Sequence, residues 1–173
     1  KSPLKITDLH WKNIYVIIKN GRNGLSINLS KKILLQKERF SIIISIPRKC
    51  QSDIVIDNKN KNYAWYDSKI SFKAPANNNI NIVPENLINN GSYISHWKNG
   101  DKISLKNSTK KISDIFIDNK IPNYDKLYYP IIRNRKGRVI CVPDLATEYN
   151  QDFKKSESLS LHFDINKGCF GKY

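Results

Sequence analysis

Apolar positions in this chain fall first at helical spacing and then switch to a two-residue alternation. In residues 6–19, ITDLHWKNIYVIIK, Leu9, Trp11, Ile14 and Ile17/Ile18 recur roughly as one face of a helix does. Thr7 or Asp8 can cap its start, and Asn20-Gly21 supplies residues suited to a left-handed end. His10 and Trp11 on this segment read as packing residues rather than ligands.

Alternation then takes over. Leu25–Leu29, Lys32–Gln36 and Phe40–Ile46 read as strands, with strict alternation in Ser26-Ile27-Asn28-Leu29 predicting a half-buried one. Ile42-Ile43-Ile44 is continuous, as in a fully covered strand, and Lys37-Glu38-Arg39 is polar enough for the turn before it. The sum is a β-meander. Further on, Asp53–Lys61 and Pro75–Asn81 are turn-rich and predict loops. Between them Tyr63–Tyr66 and Lys69–Phe72 look like short strands whose rings serve the core; stacking on unpaired bases is the other use of such rings. Pro84 and Asn89-Asn90-Gly91 mark a boundary, dividing the chain at 1–90 and 91–173.

The stretch His96–Pro122 carries the most distinctive pattern. A Gly100-Asp101 turn leads into a strand-like piece, after which a helix is expected, capped by Asn107 or Ser108. It stops before Pro122, because the residue preceding a proline is pushed out of the helical region. Ile112, Ile115, Phe116 and Asn119 share one face of that helix. Lys110 and Lys111 then fall in its first turn, where each exposed positive charge opposes the macrodipole by about 0.3–1 kcal/mol. Two explanations stand. A phosphate could be held by the free amide donors, the dipole and both ammonium groups, or Lys110 could pair with Asp114 at i, i+4. Beyond the helix, Tyr128–Ile132 and Val139–Val142 flank an Asn134–Gly137 turn as a hairpin, and Ser158–Phe163 alternates as a closing strand. The fold class is α+β: a small β-rich domain with short helices, preceded by a helix and the meander.

Charge changes the picture. Thirty basic residues against 15 acidic give a net +15 and a pI near 9.7 across 173 residues. A surplus that large speaks of partners: it favours polyanions such as nucleic acid, or an anionic membrane face. No apolar run approaches the ~20 residues that span a bilayer, and Lys1-Ser2-Pro3 opens no signal peptide. The absence of Met suggests a piece of something longer. The candidate nucleic-acid-binding residues form two clusters. Lys98, Lys102, Lys106, Lys110 and Lys111 precede or open the helix, with Lys126 after it; Arg133, Arg135, Lys136 and Arg138 crowd the later turn.

Catalytic chemistry is missing from the pattern. There is no Gly-rich phosphate loop, no Gly-x-Ser-x-Gly and no His-Glu-x-x-His. Cys50, Cys141 and Cys169 are widely spaced without a CxxC pair, so no zinc signature or disulfide framework is expected, and the compartment reads as reducing. His96 and His162 have no carboxylate or thiol at ligand spacing. Asp114 and Asp118 read as solubilising charges and lysine partners rather than an acid/base pair. No catalytic residue, metal ligand or cofactor is assigned to the chain.

Trp97-Lys-Asn-Gly-Asp-Lys-Ile, then Lys110-Lys-Ile-Ser-Asp-Ile-Phe-Ile-Asp-Asn-Lys-Ile-Pro122, with Pro130 beyond, resembles the C-terminal domain of the tRNA(Ile)-lysidine synthetase family. Residues 6–19, Gly21–Leu29 and Lys37–Ile44 resemble that family's link from its middle region, and Tyr149–Phe163 its closing strand. Lys126 stands where an arginine is usual, and Cys141, Asp144 and Ala146 replace the usual Trp, Gly and Arg. The resemblance implies a sandwich-like domain that grips the acceptor-stem side of a minor isoleucine tRNA. Its enzyme is an ATP-dependent ligase that converts the wobble cytidine to lysidine. ATP, Mg and free lysine are bound in an N-terminal PP-loop domain marked by Ser-Gly-Gly-x-Asp-Ser, a motif this chain lacks. The expected setting is bacterial cytoplasm or the stroma of a bacterially derived organelle (plastid or apicoplast), with a homodimer left open. The competing reading is a non-catalytic polyanion- or protein-binding β-rich module.

Overall fold

A computed structural model of the chain describes residues 7–30, 33–39, 41–57, 62–73, 82–84, 91–149 and, for the backbone alone, 158–164. The Pro75–Asn81 stretch, the Asn89-Asn90 turn and Cys169 lie outside them. Two compact units emerge: residues 1–50 with Pro122–Tyr124, and residues 51–121 with 125–173.

In the first unit, helix α1 (Asp8–Asn20) is capped reciprocally. The Thr7 hydroxyl accepts from the His10 amide, and His10 Nδ1 accepts from the Thr7 amide at 3.1 Å, so histidine does the work glutamate does in the usual capping box. Asp8 in the first turn and Lys19 in the last both suit the dipole. Ile14 and Ile17 face the antiparallel sheet β1 (Ser26–Ser30), β2 (Ile33–Lys37) and β3 (Ile42–Ser45), burying Leu29, Ile33 and Leu35 beneath them. The helix and meander were both expected; four details differ. Gly21 closes the helix in an extended conformation, φ −70° and ψ 140°, not a left-handed one. Glycine is required there by space, since a Cβ would lie 2.5 Å from the Ile17 carbonyl oxygen. His10 caps instead of packing, Trp11 is 58 % exposed, and Ile44 in β3 is exposed rather than covered.

The second unit centres on a five-stranded sheet in the order β13-β12-β11-β8-β4, among the described residues. These are β4 (Ile54–Val55), β8 (Tyr93–His96), β11 (Pro130–Arg133), β12 (Val139–Val142) and β13 (Ala146–Thr147). Every residue of β11 and β12 is buried, the pattern of strands covered on both faces. β4 pairs with β8 through Ile54↔Ile94 and Val55↔Tyr93. The boundary expected at 90/91 therefore falls inside this unit, because that pairing spans it.

A second sheet in this unit runs β5-β6-β14-β7, from β5 (Asn62–Trp65), β6 (Ser68–Lys73), β7 (Ile82–Pro84) and β14 (Ser158–Asp164). Tyr63, Trp65 and Phe72 are buried, so these rings do serve the core. Trp65 Nε1 donates to the Tyr128 carbonyl at 2.7 Å, which satisfies its one polar atom inside. Tyr66, at φ +50°, makes the tight β5–β6 turn. Its hydroxyl accepts from the Gln51 amide and meets His96 Nε2 at 2.7 Å. The α+β, β-rich class with short helices is the one observed.

The expected helix of residues 108–121 is shorter. Ser108–Lys111 form strand β10, paired with β9 (Lys102–Leu105) across a Lys106-Asn107 turn. Helix α2 begins only at Ile112 and runs to Asp118, burying Ile112, Ile115 and Phe116. A four-residue helix α3 (Asn123–Lys126) follows.

Candidate nucleic-acid interface

The β9–β10 hairpin decides where its lysines point. In the ladder Ile103 opposes Lys110, and Lys102 opposes Lys111. Side chains alternate across a strand, so burial of Ile103 turns Lys102 and Lys111 to the outer face, where both are exposed. Like charges directly opposite in an antiparallel pair are destabilising, where an opposite-charge pair gains roughly 0.2–1 kcal/mol. Lysines also blunt sheet edges, but edge protection needs no opposed pair. Lys98 and, in the turn, Lys106 are exposed too.

Neither lysine expected inside the helix is there. Lys111 is the N-cap residue, with no capping side-chain bond, and the Ile112 amide donates to the Asp101 carbonyl at 2.9 Å. Lys110 reaches Asp118, not Asp114, at 2.5 Å, with the two side chains 39 % and 56 % exposed. That pair lies at the surface, and it occupies the Lys110 charge.

The later turn is built as a rigid platform. Asn134 Oδ1 accepts from the Lys136 and Arg138 amides, both at 3.0 Å, while Gly137 at φ +82° donates its N–H to the Asn134 carbonyl. Arg135 and Lys136 are held outward and exposed. Neither they nor Lys102, Lys106 and Lys111 belong to a described ion pair. Arg138 is 62 % exposed at its side chain yet pairs with the Glu148 carboxylate, which is 2 % exposed. Lys126 is half-buried in α3 and has partners of its own.

Arg133 requires a correction. Read from sequence as an RNA-binding residue, it is 3 % exposed and makes a bond from each of its five donors. Nε donates to Ser95 Oγ at 2.7 Å. Nη1 donates to Asp101 Oδ1 and the Gly137 carbonyl, and Nη2 to Asp101 Oδ2 and the His96 carbonyl, at 2.9, 3.1, 2.5 and 3.1 Å. No donor is left for a ligand. The Asp101 carboxylate also accepts from the Lys98 amide at 2.6 Å. Burial alone would raise its pKa, but the hydrogen bonds from Arg133 and Lys98, with their charges, hold it below the usual carboxylate range.

The cysteine of β12 is not activated. Burial pushes the Cys141 thiol up to about 12 against the pull of a hydrogen bond with Thr147, so it stays protonated. Among the described residues no group of three or more His, Cys, Asp or Glu is placed to hold a metal ion. Nor is any described helix long and apolar enough to cross a membrane.

Sequence reading also passed over charge in the first unit. Residues 1–50 hold eleven Lys or Arg against two Asp or Glu, and Lys12, Lys19, Arg22, Arg39 and Lys49 are exposed. A per-segment charge count would have found them.

Fold and charge together define a class: a basic, β-rich chain whose second unit displays exposed cations on the β9–β10 hairpin and the Asn134–Gly137 turn. Several relatives found by sequence share one name. The chain is 37 % identical over 81 residues to the tRNA(Ile)-lysidine synthase of Clostridioides difficile, covering 46 % of this chain and 17 % of that protein. It is 31 % identical over 99 residues to that of Bacillus subtilis, covering 55 % and 21 %, and 25 % identical over 164 residues to that of Geobacillus kaustophilus, covering 83 % and 33 %. The chain thus spans a third or less of each of these proteins. The crystal structure of the TILS C-terminal domain superposes with a TM-score of 0.48 at 23 % identity, covering 57 % of this chain and 85 % of that one. No family model matches. Several lysidine synthases thus bear out the family resemblance read from the sequence.

Proposed function

We propose that this chain is the tRNA-holding portion of an ATP-dependent tRNA(Ile)-lysidine synthetase. It grips the acceptor-stem side of a minor isoleucine tRNA while another domain modifies the wobble cytidine. The opposed pair Lys102 and Lys111 on the outer face of the β9–β10 hairpin carries this reading, because their repulsion is relieved by a bound phosphate. Lys98, Lys106, Arg135 and Lys136 extend the cationic face, and Arg138 contributes through its exposed arm. Such contacts fix the position of an RNA without reading its sequence.

ATP, Mg and lysine belong to a domain outside this chain, which has no Ser-Gly-Gly-x-Asp-Ser and, among the described residues, no set suited to a metal ion. The chain's own part is to bind and orient. A cytoplasmic setting, bacterial or in an organelle of bacterial descent, goes with that role.

The test is filter binding of an isoleucine tRNA transcript over a salt series. The logarithm of affinity should fall linearly with the logarithm of salt. Lys102→Glu with Lys111→Glu should flatten the slope by about 0.7–0.9 for each phosphate no longer neutralised. A salt-independent affinity, or a double variant that binds as the parent does, refutes the assignment.

A further inference from the structure

Arg133 and Asp101, 32 residues apart in sequence, join two turns. From one guanidinium run bonds to the Asp101 carboxylate, beside Lys98 and Lys102, and to the Gly137 carbonyl, at the end of the turn that displays Arg135 and Lys136. The β11–β12 ladder shifts register between Ile132 and Arg133, with Ile140 of β12 as the extra residue, so the pairing is irregular where the arginine sits. The carboxylate in turn holds the Lys98 amide, and the Asp101 carbonyl holds the first amide of α2. The charged groups facing Asp101 are thus Arg133 and Lys98.

A buried ion pair is seldom the most stabilising filling for its space, since well-packed apolar residues do as well or better. What it supplies is a fixed geometry, here between two loops that both carry exposed cations. We infer that Asp101 and Arg133 form a positioning clamp. It holds the Lys98–Lys102 turn and the Arg135–Lys136 turn in one arrangement, so that a sugar-phosphate backbone meets them as a single surface. This rests on the nucleic-acid reading above. Neither residue touches the RNA.

The sign of one substitution separates the clamp from simple electrostatics. Asp101→Asn removes a negative charge beside a cationic surface, so charge alone predicts tighter RNA binding and a slope at least as steep. The clamp predicts the reverse. The intact chain, Asp101→Asn, Arg135→Ala with Lys136→Ala, and the triple variant are titrated with a fluorescein-labelled isoleucine tRNA transcript over a salt series. Circular dichroism confirms that each is folded at the assay temperature.

Asp101→Asn should bind several-fold more weakly, with a slope reduced by about 0.7–0.9 per phosphate left unneutralised. Adding the Arg135 and Lys136 changes should then cost less than it does in the parent, because those side chains are already misplaced. Arg133→Lys, which keeps the charge and loses the fork, should repeat the effect and serves if Asp101→Asn does not fold. Parent-like or tighter binding by the folded variants overturns the clamp while leaving the nucleic-acid reading intact. A parent chain without salt-dependent RNA binding overturns both. If neither variant folds, the pair acts on core stability and the positioning claim fails.

Discussion

Replacing Asp101 by alanine removes the acceptor of three hydrogen bonds at once, those from the Lys98 amide, Arg133 Nη1 and Arg133 Nη2, at 2.6, 2.9 and 2.5 Å. The guanidinium stays behind in a site where its side chain is 4 % exposed, short of two acceptors and of its counter-charge. Breaking a buried pair from one side costs about 3–5 kcal/mol. The Asp101 side chain is 13 % exposed, which lets some water relieve the stranded arginine and favours the lower figure. For a protein of this size ~3 kcal/mol lowers Tm by roughly 6–12 °C. Urea unfolding followed by tryptophan fluorescence reads the change, since Trp65 is fully buried in the same unit.

The loss also has a pH signature. The carboxyl titrates lower in the folded chain than its ordinary value of 3.8, so the pair contributes fully above that value. Its contribution is lost as pH falls through the folded pKa. Parent and alanine variant should therefore differ throughout the neutral range and converge in acid. A difference below about 1 kcal/mol at pH 7 would place this pair with ordinary surface bridges and refute the reasoning.

Lys102→Glu should stabilise the chain by roughly 0.2–1 kcal/mol in urea, by turning the repelling Lys102–Lys111 pair into an attractive one, while weakening tRNA binding; a loss of stability contradicts the register. Lys110→Gln should change tRNA affinity less than Lys111→Gln in the same filter-binding assay, because Asp118 already holds the Lys110 ammonium. His96 should titrate below 6.5 by NMR, mainly through burial and against the raising effect of Asp53. Its share of stability is full above 6.5 and falls as acid protonates it, a dependence that His96→Gln should abolish. Trp65→Ala should cost about 3–5 kcal/mol by the same unfolding assay, for the volume removed from a fully buried site.

Local patterns were legible wherever one signal decided the element. The helical spacing of Ile14 and Ile17 behind Thr7 and the alternation in Ser26–Leu29 gave α1 and the meander nearly to the residue. So did the apolar runs around Asn134–Gly137, whose turn chemistry is local. The start of α2 was misread because Ser108 before two lysines resembles a cap, while the Lys106-Asn107 turn carries no glycine to announce a hairpin. What outweighs propensity there is the ladder with β9, which needs Ile103 inside. Arg133 could not be told from its neighbours by composition: its partner Asp101 is set by pairing of β8 with β11, which joins distant segments. The same non-locality hid the β4–β8 pairing and misplaced the boundary. Of the candidate site, the cations of the two turns were legible as a class, and which of them face outward was not.

Lysine acetylation footprinting with and without tRNA, read by mass spectrometry, locates the RNA-binding face directly. Bound tRNA should protect Lys98, Lys102, Lys106, Lys111 and Lys136 most strongly, with Lys110 changing little beside them. Protection confined to Lys12, Lys19 and Lys49 of the first unit, with the β9–β10 lysines reacting as in the free chain, would contradict the assignment.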